Sequence, residues 1–132
     1  MPKPAPEHGL LGGRVRLREA PEGLRATTDT VLLAAAVPAA TGNLVLDLGS
    51  GVGAAALCLA WRVPGCRVIG VDSDAALIRL ARRNARANGV ADRVRFRVGA
   101  VAGRWPADLG SGCADHVMTN PPFLAPARAA AR

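Results

Sequence analysis

The chain has 132 residues, half of them apolar, and a net charge of +7. That length excludes a second sizeable domain, while folding can still bury roughly two-thirds of the unfolded surface. No apolar run reaches the ~18 residues of a membrane span, and Pro and Gly interrupt the opening MPKPAPEHGLLGG where a signal peptide needs a continuous apolar core. A cytoplasmic protein without a membrane partner is expected. Cys58, Cys66 and Cys113 form no CxxC pair, so neither a zinc site nor a disulfide framework is indicated and no metal is expected. Lys3 is the only lysine among the 17 basic residues. An Arg-rich surface suits a polyanion such as RNA; solvated helix faces in an Arg- and Ala-rich composition give the same count.

Residues 1–13 are rich in Pro and Gly and are expected to be disordered or loosely docked. Arg14 to Arg18 alternates basic and apolar residues, the period of a strand with one buried face. Pro21-Glu22-Gly23 signals a turn, and Leu24 to Thr27 is expected to return as the second strand of a small hairpin. Thr28 and Asp29 offer N-caps for a helix over Thr30 to Val37, stopped by Pro38. Asp29 reads either as a cap on the helix dipole or as a group near a ligand.

A buried strand, Leu44 to Leu48, then runs into Gly49, Gly51 and Gly53, and a helix follows over Ala54 to about Arg62. Cys66 to Val71 is a second strand and ends at Asp72. Ser73 or Asp74 caps a long helix, Ala75 to about Asn88, closed by Gly89. Along it Leu77, Leu80 and Ala81, with Asn84 and Asn88, keep helical spacing, while Arg79, Arg82, Arg83 and Arg86 lie on or near the opposite side. Arg93 to Val98 reads as a third strand, Arg104 to Gly112 as a loop, and Ala114 to Thr119 as a fourth strand that delivers Asn120-Pro121-Pro122-Phe123.

Strands alternating with helices mean an α/β fold: a Rossmann-like parallel sheet with right-handed crossovers. Its four strands are expected in the spatial order third, second, first, fourth. Ligands in such sheets bind beyond the carboxyl ends of the strands, near the point where the order reverses. The glycines, Asp72 and Asn120 all fall at strand carboxyl ends.

The spacing Gly51-x-Gly53-x-x-Ala56, with Asp72 about 20 residues on, also satisfies a dinucleotide fingerprint. Asp72 can hold ribose hydroxyls in either cofactor class. Asp47, just before the glycines, tilts the choice, because a carboxylate repels a pyrophosphate and attracts an ammonium group. Asn120-Pro121-Pro122-Phe123 decides the reaction type. Two prolines carry no N–H, so the turn offers carbonyl acceptors beside the Asn120 side-chain oxygen. A planar group bearing NH₂ could donate one hydrogen to Asn120 and one to the Pro121 carbonyl, which frees and aims the nitrogen lone pair. Phe123 could stack on that plane.

DLGSGVG, then Asp72, then NPPF resembles the class I S-adenosyl-L-methionine-dependent methyltransferases of exocyclic amines and amides. With GGRVRLRE, LRATTDTVLLAAAVP and ARRNARANGVADRVRF added, roughly residues 10–126 are similar to the bacterial tRNA adenine-N6 methyltransferases that act beside the anticodon of a valine tRNA. By that resemblance Asp47, Gly49, Gly51 and Gly53 would line the methionine and ribose end of the cofactor. Asp72 would bind the ribose, and Thr28 and Asp29 would help close the methionine end. Asn120, Pro121, Pro122 and Phe123 would present the adenine. The family pattern has an acid, reading the cofactor's adenine, where this chain has Ala100; losing such a charge-assisted hydrogen bond costs about 1.5–3 kcal/mol. The resemblance also implies seven strands where four are supplied. The chain is therefore expected to be the amino-terminal part of such an enzyme, with the domain over 14–124 and a tail over 125–132. Ribosomal RNA guanine N2, a protein glutamine amide, and a non-catalytic cofactor- or RNA-binding remnant are the rival readings.

Overall fold

A computed structural model describes residues 7–20 and 26–121. Strands β1 (Glu7–Leu10) and β2 (Val15–Arg18) form an antiparallel hairpin in which Glu7 faces Arg18 and Leu10 faces Val15. Helix α1 (Thr28–Ala36) leads into the sheet strands β3 (Leu44–Leu48), β4 (Arg67–Asp72), β5 (Val94–Val98) and β6 (His116–Thr119). Helices α2 (Ala54–Arg62) and α3 (Ala75–Ala87) make the first two crossovers. All four sheet strands are parallel, in the order β5-β4-β3-β6, which is the expected order. The chain steps outward from β3 to β5 and then returns to β3's other side. The reversal opens the crevice between the carboxyl ends of β3 and β6, where such sheets bind ligands.

The two faces of the sheet are covered unequally. Val45, Val68, Val94, Phe96 and Met118 share one buried cluster with Ala34 of α1, most of α2, and Ile78, Ala81 and Ala85 of α3. Period-2 alternation puts Leu46, Ile69 and Val71 on the other face, where they meet Leu109 and Trp105 from the loop after β5. Val117 on that face is 57% exposed. Among the described residues no strand pairs with the outer edge of β6.

Several boundaries differ from the sequence reading. The expectation of disorder does not hold for residues 7–13, which form β1 and a turn. Leu11, Gly12 and Gly13 all adopt positive φ there, so the glycines serve a tight reversal rather than a loose tail. The partner of β2 is therefore β1; Ala26 and Thr27 lie outside any strand, and Leu24 and Arg25 lie outside the described residues. The N-cap of α1 is Thr27, whose N–H donates to Thr30 Oγ1 (3.4 Å), so Thr28 and Asp29 occupy the first turn. Helix α3 ends at Ala87, with Asn88 as its cap. Strand β6 begins at His116 because Asp115 exchanges bonds with Leu44: its N–H donates to the Leu44 carbonyl (2.8 Å) and its carboxylate accepts the Leu44 N–H (2.8 Å).

Candidate cofactor site

The glycine loop after β3 is built on its neighbour strand. Gly49 N–H and Ser50 N–H both donate to the Val71 carbonyl (2.8 and 3.1 Å), and Gly51 N–H donates to Asp72 Oδ2 (2.9 Å). Gly53, at φ +92°, starts α2 in a conformation that side chains resist. A Cβ there would stand 2.8 Å from the tip of the Phe96 ring, so the loop rests on that ring. At Gly49 and Gly51 a Cβ would meet nothing within 4 Å. The outer side of the loop is open space, and the loop's backbone is its floor.

Asp72 closes the carboxyl end of β4. Its Oδ2 holds Gly51 N–H and its Oδ1 holds Asp74 N–H (2.9 Å). Each oxygen keeps a second lone pair, so the carboxylate can still accept from two adjacent hydroxyls. The Asp74 side chain caps α3 by accepting from the N–H groups of Ala76 (2.9 Å) and Leu77 (3.3 Å). Of the two candidate caps, Asp74 is thus the one used.

Asp47 is placed differently from a surface ligand group. It is 2% exposed, beneath the glycine loop, and its Oδ2 has no hydrogen-bond partner. Burial, and after it the negative charge of Asp72, pushes its pKa from 3.8 up to about 7. Ser50 Oγ is a second buried oxygen without a partner beside the loop. Both oxygens are sealed under the loop, so neither touches a ligand above it; the Asp47 carboxyl, when ionised, acts through its charge, which favours a positively charged ligand and disfavours a pyrophosphate at this spot.

Asn120 follows β6 directly. Register places Thr119 beside Leu48, the residue before the glycines, and Thr119 Oγ1 donates to the Leu48 carbonyl (2.9 Å). Asn120 Nδ2 donates to Thr30 Oγ1 (3.4 Å), so α1 takes the donor end of the amide. Its side-chain oxygen makes no hydrogen bond among the described residues. Asn120 and Pro121 are both exposed; Pro122 and Phe123 lie outside the described residues. The chain thus brings Gly49, Gly51, Gly53, Asp72 and Asn120 to one end of the sheet. Thr28 and Asp29 sit in the helical turn that carries Thr30, and Ala100 lies two residues past β5, with its N–H donating to the Arg104 carbonyl (3.0 Å).

Two residues escape a reading of the sequence. By sequence Thr30 is only the start of a helix, yet it orients Asn120. Helical spacing places Asn84 on the buried face of α3 but does not reveal its partners. Its Nδ2 donates to the Val52 carbonyl inside the glycine loop (2.9 Å).

A family model described as the methyltransferase small domain matches residues 25–132. The chain belongs to this family. It is 39% identical over 93 residues to a release factor glutamine methyltransferase from Chlorobaculum tepidum, an alignment covering 70% of this chain and 32% of the relative. It is 37% identical over 119 residues to a tRNA1(Val) (adenine(37)-N6)-methyltransferase from Aeromonas hydrophila subsp. hydrophila, covering 83% and 48%. An RNA methyltransferase from Salinibacter ruber, solved with S-adenosyl-L-homocysteine, superposes with a TM-score of 0.61 at 26% identity, covering 80% of this chain and 63% of that one. The chain thus spans less than half the length of these two curated relatives. The cofactor of the family is S-adenosyl-L-methionine, and the open glycine floor with the buried Asp47 carboxyl beneath it fits that cofactor's positive charge.

Proposed function

We propose that the chain is the cofactor-binding part of an S-adenosyl-L-methionine-dependent N-methyltransferase whose substrate is adenine N6 in tRNA. The observation that carries the N-methyl transfer in this reading is the placement of Asn120. Its acceptor oxygen is unclaimed among the described residues, and its amide nitrogen is held by Thr30 at the carboxyl end of β6, beside the glycine loop. Asp72 would hold the ribose hydroxyls with its two remaining lone pairs. Thr28 and Asp29, in the first turn of α1, would flank the methionine end, and Ala100 the adenine. Asp47, sealed beneath the loop, would favour the ligand's ammonium group through its charge rather than by contact.

Bound cofactor supplies a methyl group activated on sulfonium. The chain's own part is positional. The Asn120 oxygen and the Pro121 carbonyl accept the two amine hydrogens and turn the nitrogen lone pair toward the methyl. Pro122, which has no N–H to compete, and the aromatic Phe123 would complete the substrate end by the family resemblance. Alignment of this kind lowers the barrier chiefly by removing orientational freedom. The N–CH₃ bond would form as the S–CH₃ bond breaks and leaves a neutral thioether, and the amine proton would pass to solvent water.

The net charge of +7 supports an RNA substrate. Exposed Arg79, Arg82, Arg83 and Arg86 lie along α3, which contains no acid between Ala75 and Ala87. A protein glutamine amide is the second reading. It rests on the match to the release factor enzyme and presents the same NH₂ to the same acceptors. Incubation with labelled cofactor, bulk tRNA and a release factor, followed by digestion, separates the two. N6-methyladenosine supports the first reading, and N5-methylglutamine overturns it in favour of the second. Label in neither substrate, with cofactor still bound, supports a non-catalytic cofactor-binding role.

A further inference from the structure

The hairpin has no hydrogen bond to the sheet among those described, yet it is held to the fold at two points. Asn84 Oδ1 accepts Arg18 N–H (3.0 Å) and Asn84 Nδ2 donates to the Arg18 carbonyl (2.9 Å). One turn later, Asn88 Oδ1 accepts Arg16 N–H (2.9 Å) and Asn88 Nδ2 donates to the Arg16 carbonyl (2.7 Å). Two helix residues four apart stand about 6 Å apart along the axis. Two strand residues two apart stand about 6.8 Å apart. The periods match closely enough for two carboxamides to replace a neighbouring strand along the edge of β2 that faces away from β1.

The two asparagines differ in where the second N–H goes. That of Asn88 stays on α3, donating to the Asn84 carbonyl (2.7 Å), whereas that of Asn84 reaches the Val52 carbonyl (2.9 Å), between Gly51 and Gly53. On the other side of the same dipeptide, Gly51 N–H is held by Asp72. The loop is therefore fixed between a strand-end carboxylate and a helix carboxamide. Asn84 is 2% exposed and both its donors are used, so its orientation is set by the hairpin it also holds.

We propose that Asn84 is a positioning residue of the cofactor site, which makes the amino-terminal hairpin a working part of that site. Docking of β2 fixes the Asn84 amide, and the amide fixes the height of the glycine loop over Asp72. Coupling of this kind is reciprocal, so cofactor binding must tighten the grip on β2. The proposal rests on the reading of the loop as the cofactor floor.

The test uses the full 132-residue chain and S-adenosyl-L-homocysteine. Calorimetry should show affinity reduced about tenfold or more in Asn84→Ala. Asn88→Ala, which breaks the Arg16 bonds and the bond to the Asn84 backbone carbonyl but leaves the Asn84 side chain on Val52, should reduce it less than about threefold. In the wild-type chain the ligand should slow hydrogen exchange at the Arg18 amide, which touches no proposed ligand group, and this slowing should persist in Asn88→Ala. Equal affinity losses in the two variants, or Arg18 exchange indifferent to ligand, overturns the proposal. Should Asn84→Ala not fold, the wild-type exchange measurement decides. Failure of the wild-type chain to bind the ligand overturns the cofactor reading itself, and the proposal with it.

Discussion

The substitution Asp47→Asn removes one charge and little else, and its effect on stability should depend on pH in a defined way. The Asp47 carboxyl is buried with one oxygen unpartnered, and its pKa is raised from 3.8 to about 7, first by burial and then by Asp72. Between those values the folded chain keeps a proton that the unfolded chain has released. The stability this proton confers is complete below pH 3.8 and is lost as pH rises to about 7. At about 1.4 kcal/mol per unit, the loss approaches about 4 kcal/mol at neutrality. The carboxamide of the variant cannot ionise, so the difference in unfolding free energy, variant minus wild type, should climb between pH 4 and 7 and level off above. Urea unfolding of both chains across that range, at constant ionic strength, measures the difference and cancels groups distant from the site. Parallel curves would refute the buried, proton-holding state of Asp47. Ligand affinity should run the other way in the wild-type chain. The ionised carboxylate favours an ammonium group, so binding should tighten from pH 5 to 7, and the Asp47→Asn chain should lose that trend.

Three further substitutions probe the remaining parts of the site. Gly70→Ala places a Cβ 2.5 Å from Phe96 Cδ1 and 2.7 Å from the Ser50 side chain; overpacking should cost about 1–3 kcal/mol, read from the urea midpoint, and an unchanged midpoint would mean the loop and ring yield freely. Asn120→Ala should abolish methyl transfer in an active form of the protein while cofactor affinity by calorimetry stays nearly intact; retained turnover would remove Asn120 from the role given to it. Ala100→Asp should tighten binding of S-adenosyl-L-homocysteine about tenfold by restoring an acceptor for the adenine amino group, and an unchanged titration would place the adenine elsewhere.

The parallel sheet is legible in the sequence because β3 and β4 carry nearly continuous apolar runs, β5 alternates apolar residues with Arg, and alternation with helices leaves few ways to connect them. Helix α2 and strand β3 fall where their residues place them, and Asp74 caps α3 as its type suggests. The carboxyl-end position of the glycines, Asp72 and Asn120 follows from the same pattern. The hairpin pairing is not legible. Gly12 and Gly13 read as looseness, whereas with Leu11 they form the positive-φ reversal that returns β2 along β1. The roles of Asn84 and Asn88 escape for a different reason. Helical spacing puts both on the buried face, but their partners are backbone groups 66 and 72 residues away, and no local rule points to them. Asp47 reads from sequence as a group facing the ligand; alternation along β3 instead turns it toward the helices, as it does Val45, and buries it under the loop.

Calorimetric titration of the wild-type chain with S-adenosyl-L-homocysteine and, separately, with NADH tests the identity of the ligand above the glycine floor most directly. Saturable binding of S-adenosyl-L-homocysteine at one site per chain, with no heat from NADH, is expected. NADH binding without S-adenosyl-L-homocysteine binding would contradict it.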